Sequence, residues 1–130
     1  MKQEDETLTK IVEEARKDKD VLAVMLFGSY IRKKTKPKDI DVCIVLNSKK
    51  DDLFMSNKKL EYLKLCPEKY DIQIFQQLPV FIRMRILKEG EFLLSKDNKL
   101  MTKIALSTFK EFDLFKRHYY FCIKEIAYGR

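Results

Sequence analysis

An α/β (α+β) fold, a small mixed β-sheet flanked by helices, is what this sequence predicts. Three observations predict it. Apolar runs rich in β-branched residues, such as VLAVMLF and IDVCIVL, read as buried strands. Segments with apolar residues at helical spacing alternate with those runs. The strand connections differ in kind: a short segment allows an antiparallel pair, whereas a helical crossover makes a parallel pair, normally right-handed.

In chain order, residues 4–19 read as a helix, with Leu8, Ile11, Val12 and Ala15 at helical spacing. Residues 21–27 form the first strand, closed by Gly28-Ser29. Residues 30–38 are a basic turn or short helical segment, which Pro37 keeps from becoming a long helix. Residues 39–46 form the second strand. Asn47 and Ser48 suit the cap of a helix over about residues 50–65, with Leu53, Phe54, Leu60, Leu63 and Leu65 as its apolar side. Cys66-Pro67 stops that helix. Residues 70–75 form a third strand, with Ile72 and Ile74 on one side and Asp71, Gln73 and Phe75 on the other. Pro79 opens a helix to about Lys88, and Gly90 fits its C-terminal cap. Residues 91–95 are a short edge strand. One helix, about residues 98–128, ends the chain.

The sequence of 130 residues fits a single domain, with a core over about residues 8–97 and the C-terminal helix beyond it. A hydrophobic content of 45% suffices for one core, and three glycines and three prolines leave no linker-rich segment. The net charge of +7 favours anionic partners, although most Lys and Glu side chains read as solvated surface. Three dispersed cysteines, Cys43, Cys66 and Cys122, form neither a disulfide framework nor a zinc cluster. Cys43 and Cys122 sit in apolar runs and read as small core residues. The polar N-terminus is not a signal peptide, and no apolar run has the length of a membrane span. A cytoplasmic location is therefore expected.

The chemistry concentrates in LFGSYIRKKTKPKDIDVCIVL. Alternation puts Asp39 and Asp41 on the same side of the second strand. Paired carboxylates at the lip of a buried strand are costly unless a cation sits between them, and hard oxygen donors suit Mg²⁺. If the second and third strands are parallel, Asp71 arrives beside Asp39 and Asp41, and parity lets all three share a face.

The GSY-x-R…D-I-D pattern, followed by an aspartate on a later strand, resembles the nucleotidyltransferase superfamily of DNA polymerase beta. Without added fingers, thumb or RNA-binding domains, the chain is most similar to the minimal nucleotidyltransferases, MNT proteins of the MNT/HEPN antitoxin type. The likeness covers roughly residues 8–97, including DIQIFQQLPVFIRMRILKEGEFLLSKD. It implies that Gly28 admits the nucleotide's phosphates to the backbone, that Ser29 bonds a phosphate oxygen, and that Arg32 belongs to the nucleotide site. Asp39, Asp41 and Asp71 would hold one or two Mg²⁺ ions, with Asp71 also helping to deprotonate the acceptor hydroxyl. The implied reaction moves a nucleoside monophosphate, AMP from ATP, to that hydroxyl and releases pyrophosphate. The implied partner is a HEPN-domain protein, whose tyrosine is a candidate acceptor.

Two rival functions stay open on the sequence. One is a module that neutralises a HEPN-type protein by docking alone. The other is a transferase acting on RNA ends or a small hydroxylated molecule, and nucleic acid is the less favoured partner. Docking alone needs neither the aspartates nor the Gly-Ser pair. Arg83 and Arg85, two apart on a helix, cannot both face one phosphate. His118 reads as a surface or packing residue. Met101, Ala105, Thr108, Phe112, Phe115, Tyr119, Cys122 and Ile126 form a heptad-like seam on the last helix. That helix would span roughly 45 Å, so its far end is a candidate surface for a homodimer or another partner.

Overall fold

In the computed structural model of the chain, residues 3–28 and 40–128 are described. Helix α1 (Gln3–Lys17) leads into strand β1 (Val21–Phe27), and β2 is Ile40–Leu46. Helix α2 (Asp52–Leu63) connects to β3 (Tyr70–Ile74), which runs into a single 3-10 turn, Phe75–Gln77. Helix α3 (Val80–Glu89), strand β4 (Glu91–Ser95) and helix α4 (Asn98–Tyr128) complete the order. The sheet order is β3-β2-β1-β4. β1 is antiparallel to β2 and to β4, and β2 is parallel to β3. The sheet is therefore mixed, with β4 at an edge, as the connections predict.

Two apolar clusters cover its two faces. One joins Leu8, Ile11 and Ala15 of α1 and Met55 and Tyr62 of α2 to Ile40, Val42, Ile44, Ile72 and Ile74. The other joins Ile86 of α3 and Met101 of α4 to Met25, Cys43, Val45 and Phe75. Strict alternation fails in β1 at an irregularity between Val21 and Ala23. The extra residue there puts Leu22 and Ala23 on the same face, while Val21 and Val24 pack on the other.

Three expectations need correction. The α2 cap is Asp51, whose Oδ1 accepts the Phe54 N–H at 2.8 Å, and Asn47 instead donates to the Lys19 carbonyl at 2.7 Å. The buried residues of α2 are Met55, Lys58 and Tyr62, while Leu53 and Leu60 are exposed. Lys58 is the reason: its ammonium lies 2.9 Å from Asp18, which also accepts from the Tyr62 hydroxyl at 3.0 Å. This anchored pair ties α2 to the turn before β1, with Leu53 and Leu60 outward and Phe54 and Leu63 still packed against the core. Cys122 is half-buried on α4, 3.6 Å from His118 of its own helix and in neither apolar cluster, so it is no core residue.

Gly90 caps α3 with an ordinary φ of −75°, not a left-handed one. Close approach explains the glycine instead. A Cβ at this position would meet the carbonyls of Ile86 at 2.7 Å and Leu26 at 2.9 Å. The turn into β4 can therefore press against β1 only without a side chain.

Candidate active site

The start of β2 is fixed before its first aspartate is reached. Ile40 is fully buried, and its N–H donates to the Lys69 carbonyl at 3.0 Å. The Tyr70 N–H in turn donates to the Pro67 carbonyl at 3.1 Å, which sets where β3 begins. With Ile40 opposite Tyr70, the parallel register places Asp41 directly beside Asp71. Neighbouring strands lie roughly 4.8 Å apart, so the two carboxylates share a rim. On the other side, antiparallel pairing puts Phe27 opposite Asp41. A row of Asp71, Asp41 and Phe27 thus crosses three strands on the face that α3 and α4 cover further in.

Gly28 follows Phe27 with φ +85°, a left-handed conformation that L-residues rarely adopt. It also lies against the Asp41 carboxylate. A Cβ there would collide with Asp41 Oδ2 and stand 3.2 Å from its Cγ. Two independent constraints therefore require glycine. The sequence reading gave Gly28 to phosphates, and its contact with Asp41 adds a demand from within the chain.

Asp71 accepts a hydrogen bond from Gln73 Nε2 at 3.0 Å. Beside the row, Phe27, Gly28, Ile82, Arg85, Ile86 and Glu89 line a largely apolar slot of about 120 Å³. Arg85 stands there 3.9 Å from Glu89. Arg83 diverges as its spacing predicts. It pairs with Glu111 of α4 at 2.9 Å, donates to the Leu78 carbonyl and lies over the Phe75 ring. Of the two arginines, only Arg85 lines the slot beside Gly28.

Asp39, Ser29, Arg32 and the basic segment Lys33, Lys34, Lys36 and Lys38 lie outside the described residues. Among the described residues, no group of three His, Cys, Asp or Glu side chains is gathered to hold a metal. The two carboxylates that are placed fit a hard cation by their chemistry, being adjacent, oxygen-only and at a sheet rim. The glycine that clears space against Asp41 fits the same use.

Residues 9–99 match the family described as "Polymerase beta, Nucleotidyltransferase". The chain belongs to that family. Among curated relatives of this nucleotidyltransferase is a "Putative protein adenylyltransferase" from Methanocaldococcus jannaschii, 36% identical over 81 residues. That match spans 62% of this chain and 61% of the relative, so the chain covers less than two thirds of its length. A chain from a crystal structure of "the toxin-antitoxin with AMP-PNP" superposes with a TM-score of 0.69. It is 13% identical, and the overlap covers 94% of this chain and 97% of that one. A chain from a structure of a tri-AMPylated Shewanella oneidensis HEPN toxin in complex with MNT antitoxin gives 0.66 at 13% identity, covering 94% of each. At such identities these likenesses establish the fold, a polymerase-beta-like nucleotidyltransferase with a long C-terminal helix.

Proposed function

We propose that this nucleotidyltransferase is Mg²⁺-dependent and moves AMP from ATP to a hydroxyl of a partner protein, a tyrosine of a HEPN-domain toxin, as the antitoxin of a cytoplasmic pair. The observation that carries the reading is the register of Asp41 with Asp71, with the Gly28 backbone against Asp41. The relative named for protein adenylylation and the fold shared with toxin–antitoxin structures support it.

In this reading Asp39, Asp41 and Asp71 hold the metal, and Gly28, Ser29 and Arg32 hold the triphosphate. Bound Mg²⁺ supplies charge neutralisation to the phosphoryl oxygens. The acceptor oxygen forms a bond to the α-phosphorus while the bond to the β-phosphate's bridging oxygen breaks. Pyrophosphate leaves with that bond's electrons. Asp71, on the edge strand β3, accepts the hydroxyl proton. An in-line displacement needs attacking and leaving groups on opposite sides of the α-phosphorus. With Gly28 on the leaving side, the acceptor enters over β3.

One test is to incubate the protein with each labelled nucleoside triphosphate and Mg²⁺, alone and with its co-expressed HEPN partner. Label should pass from ATP to the partner, and Asp41→Asn should abolish it. Absence of transfer with every nucleotide, alongside a tight complex, would replace the enzyme by a docking module. That second reading has its own support in the exposed aromatic face of α4. Phe115, Tyr119, Ile123 and Ile126 are exposed along one side of that helix, and in both readings we place the partner contact on that face.

A further inference from the structure

Asp71 and Gln73 stand two apart on β3, so both point to the face that bears Asp41. Gln73 Nε2 is 3.0 Å from Asp71 Oδ2. A carboxylate only accepts, so the amide nitrogen must be the end that meets it. A hydrogen bond to an ionised acceptor is stronger than a neutral one. It fixes the plane of a carboxylate that stands on an edge strand, with only β2 beside it in the sheet.

The chemical type of the donor is informative. A lysine or arginine at this position would neutralise Asp71 and compete with any cation for it. An amide orients the carboxylate and leaves its charge in place. The residue across the register from Gln73 is Cys43, fully buried and without charge-bearing chemistry of the carboxylate kind, so the hydrogen bond to Asp71 is the polar contact shown for Gln73. A carboxylate held by a neutral donor beside a second carboxylate is built for a cation.

We propose that Gln73 is a positioning residue for Asp71, setting the orientation in which that carboxylate meets the metal and the acceptor hydroxyl. The inference rests on the metal-dependent reading of the site given above. Outer-shell donors of this kind change metal affinity by about 10-fold or more when removed.

The test reads metal binding directly. Mn²⁺ is titrated by electron paramagnetic resonance into the full chain with a non-hydrolysable ATP analogue present. Gln73→Leu, Gln73→Met, Asp71→Asn and Asp41→Asn are compared with wild type, and thermal midpoints confirm that each folds. Both Gln73 variants should stay folded, since only one part-buried side-chain hydrogen bond is lost, and should weaken Mn²⁺ binding by about 10-fold. Wild-type affinity in a folded Gln73→Leu or Gln73→Met protein, with affinity lost in Asp71→Asn, would overturn the role of Gln73 and leave the metal site standing. Unchanged affinity in both aspartate variants would overturn the metal-dependent reading, and the inference with it.

Discussion

At the scale of single residues, Gly28 carries the sharpest consequence. Its left-handed φ and its contact with Asp41 are separate penalties for any side chain. Left-handed backbone alone costs an L-residue about 1–2 kcal/mol. Alanine would also push the Asp41 carboxylate aside, because the approaching atom is that carboxylate's oxygen. Gly28→Ala should therefore lower stability by about 1–2 kcal/mol in urea unfolding while abolishing nucleotide transfer at temperatures where the protein stays folded. Full transfer in a folded Gly28→Ala protein would show that Asp41 need not stand where it does. In the sequence the glycine was legible as the residue that closes β1. The sequence did not reveal the Asp41 contact, because a φ angle and a cross-strand approach have no signature in a single chain's residue order.

At the scale of elements, strands were the most legible part. β1 and β4 have the bounds their apolar runs predict, since a buried strand is a run with turn residues at each end. Parity along β3 correctly separated Ile72 and Ile74 from Asp71 and Gln73. The face of α2 was legible in part: Phe54, Leu63 and Leu65 pack against the core as predicted, while Leu53 and Leu60 are exposed and Lys58, which no hydropathy pattern marks, is buried. Its partners explain the outcome. Burial works to raise the Asp18 carboxyl pKa, but hydrogen bonds from Lys58, the Asp20 N–H and Tyr62 outweigh it and hold the pKa below the usual range. A lowered folded pKa means a contribution that is complete above the ordinary aspartate value, about 3.9, and lost as pH falls through the folded value. Asp18→Asn leaves Lys58 with Asp20 at 3.4 Å and Glu61 at 3.7 Å. With those partners remaining, the loss at neutral pH should be about 2 kcal/mol, below the full cost of orphaning a buried charge. Thermal melts of both proteins from pH 7 downward should converge in acid. A gap that persists unchanged below the ordinary aspartate range would rule out the ion pair as its source.

At the scale of the molecule, α4 divides into two halves with different work. Met101 and Thr108 are buried against the sheet and α3, and Arg83–Glu111 closes that contact. The last ring contact with the body is Phe115 on Phe81, with centroids 6.0 Å apart. Beyond it, every residue from Lys116 to Ala127 is exposed except half-buried Cys122. The predicted seam is therefore real as a stripe, but the body covers only its first half. Aromatic stacking continues along the stripe from Phe115 to Tyr119 at 6.3 Å, and Tyr120 meets Tyr119 edge-on at 5.7 Å from beside it. Such a contiguous apolar face marks an interaction surface, and buried aromatic anchors usually dominate binding energy. Tyr119→Ser with Ile123→Ser, both far from the carboxylate row, should leave the melting midpoint and Mn²⁺ binding unchanged. The same pair should weaken the complex with the proposed HEPN partner by about 2 kcal/mol or more, measured by titration calorimetry, and slow transfer to that partner in proportion. Loss of the complex without loss of metal binding would separate docking from chemistry along the length of one helix. Undiminished affinity for the partner would move the contact off this face.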